Sequence, residues 1–565
     1  MTLATPFVPG TNLKGKLAGN WTFLLPSLEL ESMLCLGVPS QPGLETFERI
    51  SDRVVVADGD AQGLQTVDKN DWPSVETVLL NGKPTVPLAD NSVDLVYVGS
   101  RYDVTKRSAW LSELRRVLRP EGLLYFEHGG PMVQEQLSTV TDTVASRLGR
   151  PNLYWVTPMM GEMETAVPAN DKAIINYFIK NNLYSPAITL PRRVPVVGPA
   201  LEKTERYIWK NRKLHKRVQR FGVLVGPEGQ ELSQKMPQYL HDALAKVGLN
   251  GDDYRWGILA RGLYRTRKVI FFLFDQAADE PKIVVKMTRG ANANYRLENE
   301  FRGLGEMRDQ QLGDAEVIPQ PVFLDHHGGL ALMGQTVIEG DPFKKRTNHT
   351  ADCPYVTIAL NWLVDLSVKT RQPVPARDAA AALDQLYDHY KAIYKPNPTR
   401  KAFLDKQMAT LREGMAEFPL VFQHGDPGTW NILITENGRP AFLDWEASEP
   451  HGMPLWDLYY FLRSYAVGAS RTKGARNVLA GFEQQFLEES PYTPLIVEWV
   501  KKYCEAVNLP ADYVEPLFYT CWMHRALKQA SRMTEQTVDR GHYIKLLRLC
   551  VDRRDAPTLR QLFDA

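Results

Sequence analysis

"FQHGDPGTWNILITENGRPAFLDWEASEP", residues 422–450, gathers a histidine, two aspartates and an asparagine between apolar runs. Asp426 and Asn431 stand five residues apart, and Asp444 returns between Leu443 and Trp445. Such a set suits phosphoryl transfer from a nucleotide, which needs positioning and charge neutralisation more than covalent help from protein. Asp426 can accept or orient a hydroxyl proton. Asn431 offers a neutral oxygen to Mg²⁺, and Asp444 an anionic one that bridges metal and phosphates. Mg²⁺ keeps several of its waters, so one carboxylate and one amide suffice as protein ligands. "NILITENGRPAFLDWE" also reads as a hairpin, two apolar runs about an Asn437-Gly438 turn, which returns Asp444 beside Asn431.

The rest of the chain sets the frame for that segment. At 565 residues it exceeds a single hydrophobic core and predicts roughly three or four compact units. Hydrophobic residues make up 44% and charged residues 24%, an ordinary globular composition. A net charge of +1 gives no global electrostatic reason to expect nucleic acid or an acidic membrane as partner. The N-terminal stretch lacks the basic start, apolar run and cleavage site of a signal peptide. No apolar run approaches the roughly 20 residues that span a bilayer. The five cysteines are scattered and none lies in a CxxC pair, which argues against a zinc site and against a disulfide framework. A cytoplasmic, reduced protein without membrane insertion is expected.

Three textures follow one another. From about 30 to 130, strand-like runs ("SMLCLGV", "RVVVADG", "VDLVYVGS", "LLYFEHGG") alternate with helix-like ones, which predicts a parallel α/β sheet. From about 185 to 250 prolines and glycines mark a connector, with eight Lys or Arg between Lys203 and Arg220 read as a solvated helix face. Beyond 255, β-like runs ("KVIFFLF", "KIVVKM", "LALMGQTVI") give way after about 350 to long helical stretches, the mark of a two-lobed α+β arrangement.

"HGDPGTWN" followed by "FLDWE" resembles the aminoglycoside phosphotransferase and choline kinase family, with its H-G-D, four residues, N, then apolar-D-W/F-E. The resemblance implies a kinase-like two-lobed fold and makes Asp426 the catalytic aspartate, Asn431 and Asp444 the metal ligands, and His424 the brace of the loop. Asp457 in "PLWDLYYFL" takes the place of a structural aspartate. Upstream, Lys286 ending "KIVVK" resembles the strand lysine on the nucleotide phosphates, and Glu300 its helix partner, with Glu298 as the alternative. "ALMGQTVIEG" resembles the hinge, so backbone from Gln335 to Val337 is expected at the adenine edge. "ARGLYRTRK" stands where a phosphate-covering loop belongs, with only Gly262, flanked by Arg261 and Arg265, in place of a glycine-rich pattern. The implied cofactors are Mg²⁺ and ATP or GTP. The implied acceptor is a hydroxyl of a small molecule or glycan.

"LADNSVDLVYVGS" and "LSELRRVLRPEGLLYFE" resemble class I S-adenosylmethionine-dependent methyltransferases, a Rossmann-like fold. That resemblance makes Asp58 the ribose-binding acid and Gly37 the remnant of the first glycine loop, with His128 and Asp94 structural. The loop "LGVPSQPG" departs from G-x-G-x-G, since Pro39 removes a donor and fixes φ. The fold is therefore expected, while S-adenosylmethionine binding stays open between a bifunctional methyltransferase-kinase and a domain kept for scaffolding. A non-catalytic regulator is a further alternative. The expected divisions are a methyltransferase-like domain at 1–165, a connector at 166–250, a kinase N-lobe at 251–340 and a helical C-lobe at 341–565. Every kinase residue lies beyond 260, so removal of residues 1 to about 165 is expected to leave the nucleotide site formed.

Overall fold

The computed structural model describes residues 18–67, 71–102, 108–129, 137–158, 161–184, 220–226, 236–262, 267–372, 376–414, 419–531 and 533–564. The basic run from Lys203 to residue 219 and Arg265 lie outside them. The chain divides into two compact units, one formed by Gly15–Asn294 with Val322–Gln335, the other containing Tyr295–Pro321 and Thr336–Ala565.

The first unit is organised on one sheet. Its strands are β1 (Leu30–Leu36), β2 (Ser51–Asp58), β3 (Val75–Leu79), β4 (Val93–Val98), β5 (Leu118–Gly129), β6 (Pro151–Thr157), β7 (Thr165–Pro168), β8 (Arg220–Val225), β9 (Tyr254–Leu259), β10 (Val269–Asp275), β11 (Ile283–Met287), β12 (Pro321–His327) and β13 (Leu330–Thr336). Their spatial order is β12-β13-β11-β10-β9-β7-β6-β8-β5-β4-β1-β2-β3. The segment β5-β4-β1-β2-β3 is parallel throughout, as the alternating texture predicts. β1 buries every residue from Ser32 to Leu36, the continuous apolar run of a strand covered on both faces.

Beyond β5 the pairing turns antiparallel, through β8, β6 and β7 to β9, β10 and β11. The described part of the expected connector therefore supplies most of β7, all of β8 and the helix Lys172–Lys180. It joins the parallel strands to the lobe expected at 251–340 as a single sheet, so the compact division of the chain falls elsewhere than at 165 and 250. Side chains tie the same join. Buried Asn20 donates to the carbonyls of Met163 (2.5 Å) and Ala260 (3.3 Å), and buried Arg289 bonds Asn20 Oδ1 and the Ala260 carbonyl. Trp21 stacks over both Tyr97 (5.0 Å) and Tyr125 (4.3 Å), neighbours on the parallel strands β4 and β5. Residues 1–165 are thus structural partners of β9–β11. Their removal would expose sheet edges and take the Asn20 partner from Arg289, which counts against the expectation that it leaves the nucleotide site formed.

The second unit is mainly helical, as the texture after 350 predicts. Helices Pro354–Thr370, Ala376–Tyr394, Pro398–Glu413, Trp456–Thr472, Thr493–Val507, Val514–Ala530 and His542–Asp552 surround two short strand pairings that carry the segment 421–452. Helix Val514–Ala530 is apolar on nearly every side and correspondingly buried, with Arg525 the one buried cation along it.

Candidate active site

Strand Val421–Gln423 delivers the chain into His424-Gly425-Asp426. The amide of His424 donates to Asp457 Oδ2 at 2.6 Å and that of Gly425 to Asp457 Oδ1 at 3.1 Å. Asp457 sits in the first turn of helix Trp456–Thr472 and clamps the loop to that helix. Burial pushes its carboxyl up to about 6, against the pull of Arg525 and the two amides. Gly425 has φ +75, and a methyl there would run into the Ala447 carbonyl, so no other residue fits. His424 is fully buried. Its Nδ1 accepts from the Asp426 amide (3.2 Å), which leaves Nε2 to donate to the Leu443 carbonyl (3.0 Å). Both nitrogens are engaged in the neutral tautomer, and burial lowers the imidazole to about 4.

Asp426 is half-buried at the loop's turn. Its Oδ2 and its own carbonyl both accept from Asn431 Nδ2, at 3.2 and 3.0 Å. Its Oδ1 faces Arg525 Nη1 at 3.3 Å. Burial raises the carboxyl, but Arg525, Lys528 and His424 together hold it below the ordinary aspartate value, so it is a carboxylate throughout the physiological range. Strands Ile432–Ile434 and Pro440–Phe442 then pair antiparallel, Ile432 opposite Phe442, around the Asn437-Gly438 turn. The Leu443 amide closes the hairpin on the Asn431 carbonyl at 2.8 Å, so Asp444 follows directly beside Asn431 as its spacing predicts.

Asp444 has φ +67, a left-handed backbone that costs an aspartate roughly 1–3 kcal/mol. The buried neighbour holds it there. Trp445 donates Nε1–H to the Phe442 carbonyl (2.8 Å) and packs on His424 (ring centroids 4.5 Å), so the chain must turn sharply at 444. Beyond it, Glu446 pairs with Arg296 at 3.3 Å, and Asn299 Nδ2 donates to the carbonyls of Glu446 (3.1 Å) and Ser448 (2.9 Å). These bonds fasten helix Asn294–Asp309 to the site. On that helix Glu300 is fully buried and Glu298 half-exposed, which favours Glu300 as the inward carboxylate.

The remaining expected residues divide between the units. Asp426, Asn431, Asp444, His424, Asp457, Glu300 and Val337 belong to the second, Lys286, Gln335 and Gly262 to the first. Lys286 is buried on β11 opposite Ile270, and Gln335 is buried at the end of β13. The chain crosses from one unit to the other between Gln335 and Thr336, inside the expected hinge. Gly262 has φ +98, while Arg261 is bonded to the carbonyls of Asn182 (3.1 Å) and Tyr184 (2.7 Å). Gly37 follows β1, and Asp58 ends the adjacent strand β2. Asp94 accepts from the Ser32 amide (2.8 Å) and Arg119 (2.6 Å), a structural role.

Residues 272–492 match the family described as Phosphotransferase enzyme family, and residues 34–126 the family described as Methyltransferase domain. The chain carries a phosphotransferase-family domain and a methyltransferase domain. Solved structures are similar at low identity. A methyltransferase from Aquifex aeolicus is 18% identical over 20% of this chain and 63% of its own, less than two thirds, with a TM-score of 0.17. An aminoglycoside phosphotransferase from Streptomyces rimosus, in complex with ADP and streptomycin, is 16% identical over 46% of this chain and 90% of its own, with a TM-score of 0.28. The bifunctional kinase-methyltransferase WbdD is 12% identical over 93% of this chain and 89% of its own, with a TM-score of 0.26. No curated protein matches the chain in sequence.

Arg525 and Lys528, which lie beyond the matched residues 272–492, escaped the motif reading. Arg525 is buried, its Cζ sits 3.4 Å from the Tyr460 ring centroid, and it touches Asp426. Lys528, one turn on, donates to the Gly425 carbonyl at 3.2 Å. A single arginine inside the apolar stretch "LFYTCWMHRAL" is the signal that could have found the first, since such a charge is buried only with a partner. No helix among the described residues is long and apolar enough to cross a membrane.

Proposed function

We propose that the chain transfers the terminal phosphoryl group of ATP or GTP to a hydroxyl of a small molecule or glycan. The observation that carries the reading is one loop and its hairpin, which bring Asp426, Asn431 and Asp444 together. Asp426 orients the acceptor hydroxyl and takes its proton as the oxygen attacks. With Arg525 on its other oxygen it is a weak base, and positioning is its larger contribution.

The donor set fits Mg²⁺. Asn431 gives its amide nitrogen to Asp426, so the oxygen it has left is the hard ligand this ion prefers. Asp444, next to it at the end of the hairpin, adds the anionic ligand. Bound there, Mg²⁺ neutralises charge on the phosphates. Lys286, buried on β11, is the candidate for the phosphate-contacting lysine.

The test is nucleotide consumption across a panel of hydroxyl acceptors, wild type against Asp426→Asn. Transfer should fall about 10²- to 10⁴-fold with nucleotide binding retained. Transfer within threefold of wild type on a true acceptor would sink the assignment.

A further inference from the structure

In a doubly wound sheet the ligand crevice opens where strand order reverses, here between β1 and β4, and the acid ending β2 takes the ribose hydroxyls. The donors and acceptors of that crevice can be counted. The Gly37 amide donates to the Ala57 carbonyl (2.8 Å) and the Val38 amide to Asp58 Oδ2 (3.0 Å), and Pro39 has no N–H. Three consecutive loop positions thus offer no backbone N–H to a bound ligand. Asp58 is 3% exposed and filled from within, its Oδ1 accepting from the Asp60 amide (3.0 Å) and the Tyr102 hydroxyl (3.1 Å).

The Tyr102 hydroxyl also accepts from the Gly59 amide at 2.9 Å. A hydroxyl that donates to the β2-end carboxylate and accepts from the next amide makes the bonds a ribose hydroxyl would make. The Tyr102 ring lies against Gly37, where a β-carbon would meet its Cδ2 at 3.6 Å. The ring is braced edge-on by Trp110 (5.8 Å, 84°), and its backbone is held by the Gly99 carbonyl (3.0 Å). S-adenosylmethionine, which the methyltransferase match implies, does not fit these residues as they stand. We propose that Tyr102 is an internal occupant of the ribose position, so that the nucleoside crevice of the methyltransferase domain is closed by the chain's own side chain.

The experiment is calorimetry of the full chain with S-adenosylmethionine and, separately, with adenosine. The wild type should show no binding heat up to about 1 mM of either. Tyr102→Ala frees Asp58 Oδ1, the Gly59 amide and the ring's volume, and should bind both at least about tenfold more tightly. Adding Asp58→Asn to that variant should remove the gain. Should Tyr102→Ala lose the native melting transition, Tyr102→Leu decides instead. It keeps an apolar side chain beside Trp110 but removes the ring and releases both hydrogen-bond partners, and should bind adenosine detectably below about 1 mM, where the wild type does not. Micromolar binding by the wild type, no gain in the folded variant, or a gain that survives Asp58→Asn would each overturn the proposal.

Discussion

Replacing Arg525 with methionine removes the cation that faces Asp426 while keeping an unbranched side chain in the helix. Two interactions go. One is the 3.3 Å pair with Asp426 Oδ1, the other the guanidinium, its Cζ 3.4 Å from the Tyr460 ring centroid. Stranding one member of a buried pair costs about 3–5 kcal/mol, and a desolvated cation–π contact adds about 2 kcal/mol. Asp426 keeps 28% of its side chain exposed, so water recovers part of its solvation and the low end applies to the pair. The expected loss is about 5 kcal/mol in all. Arg525→Lys keeps the charge but not the planar face, so it should lose only about 1–2 kcal/mol. Urea unfolding followed by tryptophan fluorescence reads both midpoints side by side. Repeating the methionine exchange in an Asp426→Asn background isolates the pair, since there the loss should shrink by at least about 1 kcal/mol. A methionine variant within about 0.5 kcal/mol of wild type, or an undiminished loss in the Asp426→Asn background, would refute the counter-ion role.

Gly425→Ala should abolish soluble, active protein, whereas Gly438→Ala, at a similar φ of +76 but with open space around it, should cost only about 1–2 kcal/mol by thermal melting. His424 is held neutral down to about 4 instead of near 6.5, so its contribution is complete above 6.5 and is lost as pH falls through about 4. About 3 kcal/mol of stability should disappear across that window (urea midpoints against pH), and His424→Gln should flatten the slope. Asp444→Ala should raise the magnesium concentration needed for half-maximal transfer, and an unchanged magnesium titration would move the metal elsewhere. Expression of residues 166–565 should yield insoluble or unfolded protein, read by circular dichroism. A monomeric, cooperatively melting fragment would show that β9–β11 do not need the parallel strands.

What the sequence determined by itself is local. The Asp426, Asn431 and Asp444 group was legible because a single turn and a hairpin join its members, and hairpin geometry follows from the Asn437-Gly438 pair and two flanking apolar runs. The parallel strands were legible for the same reason, each apolar run being its own signal of a buried strand. The tertiary structure alone decided which distant groups meet. Arg525 reaches Asp426 across 99 residues, and no spacing rule encodes that contact. Likewise, local texture separated 1–165 from 251–340, because strand periodicity states which face is buried but not which strand lies alongside. Pairing through β6–β8 made them one sheet. Tyr102 is the clearest case. As a residue it is an ordinary tyrosine after a strand, and only the fold sets its hydroxyl between Asp58 and the Gly59 amide. Local patterns report one element's own needs, whereas hydrogen-bond satisfaction in a buried crevice is settled by whichever groups the whole chain brings there.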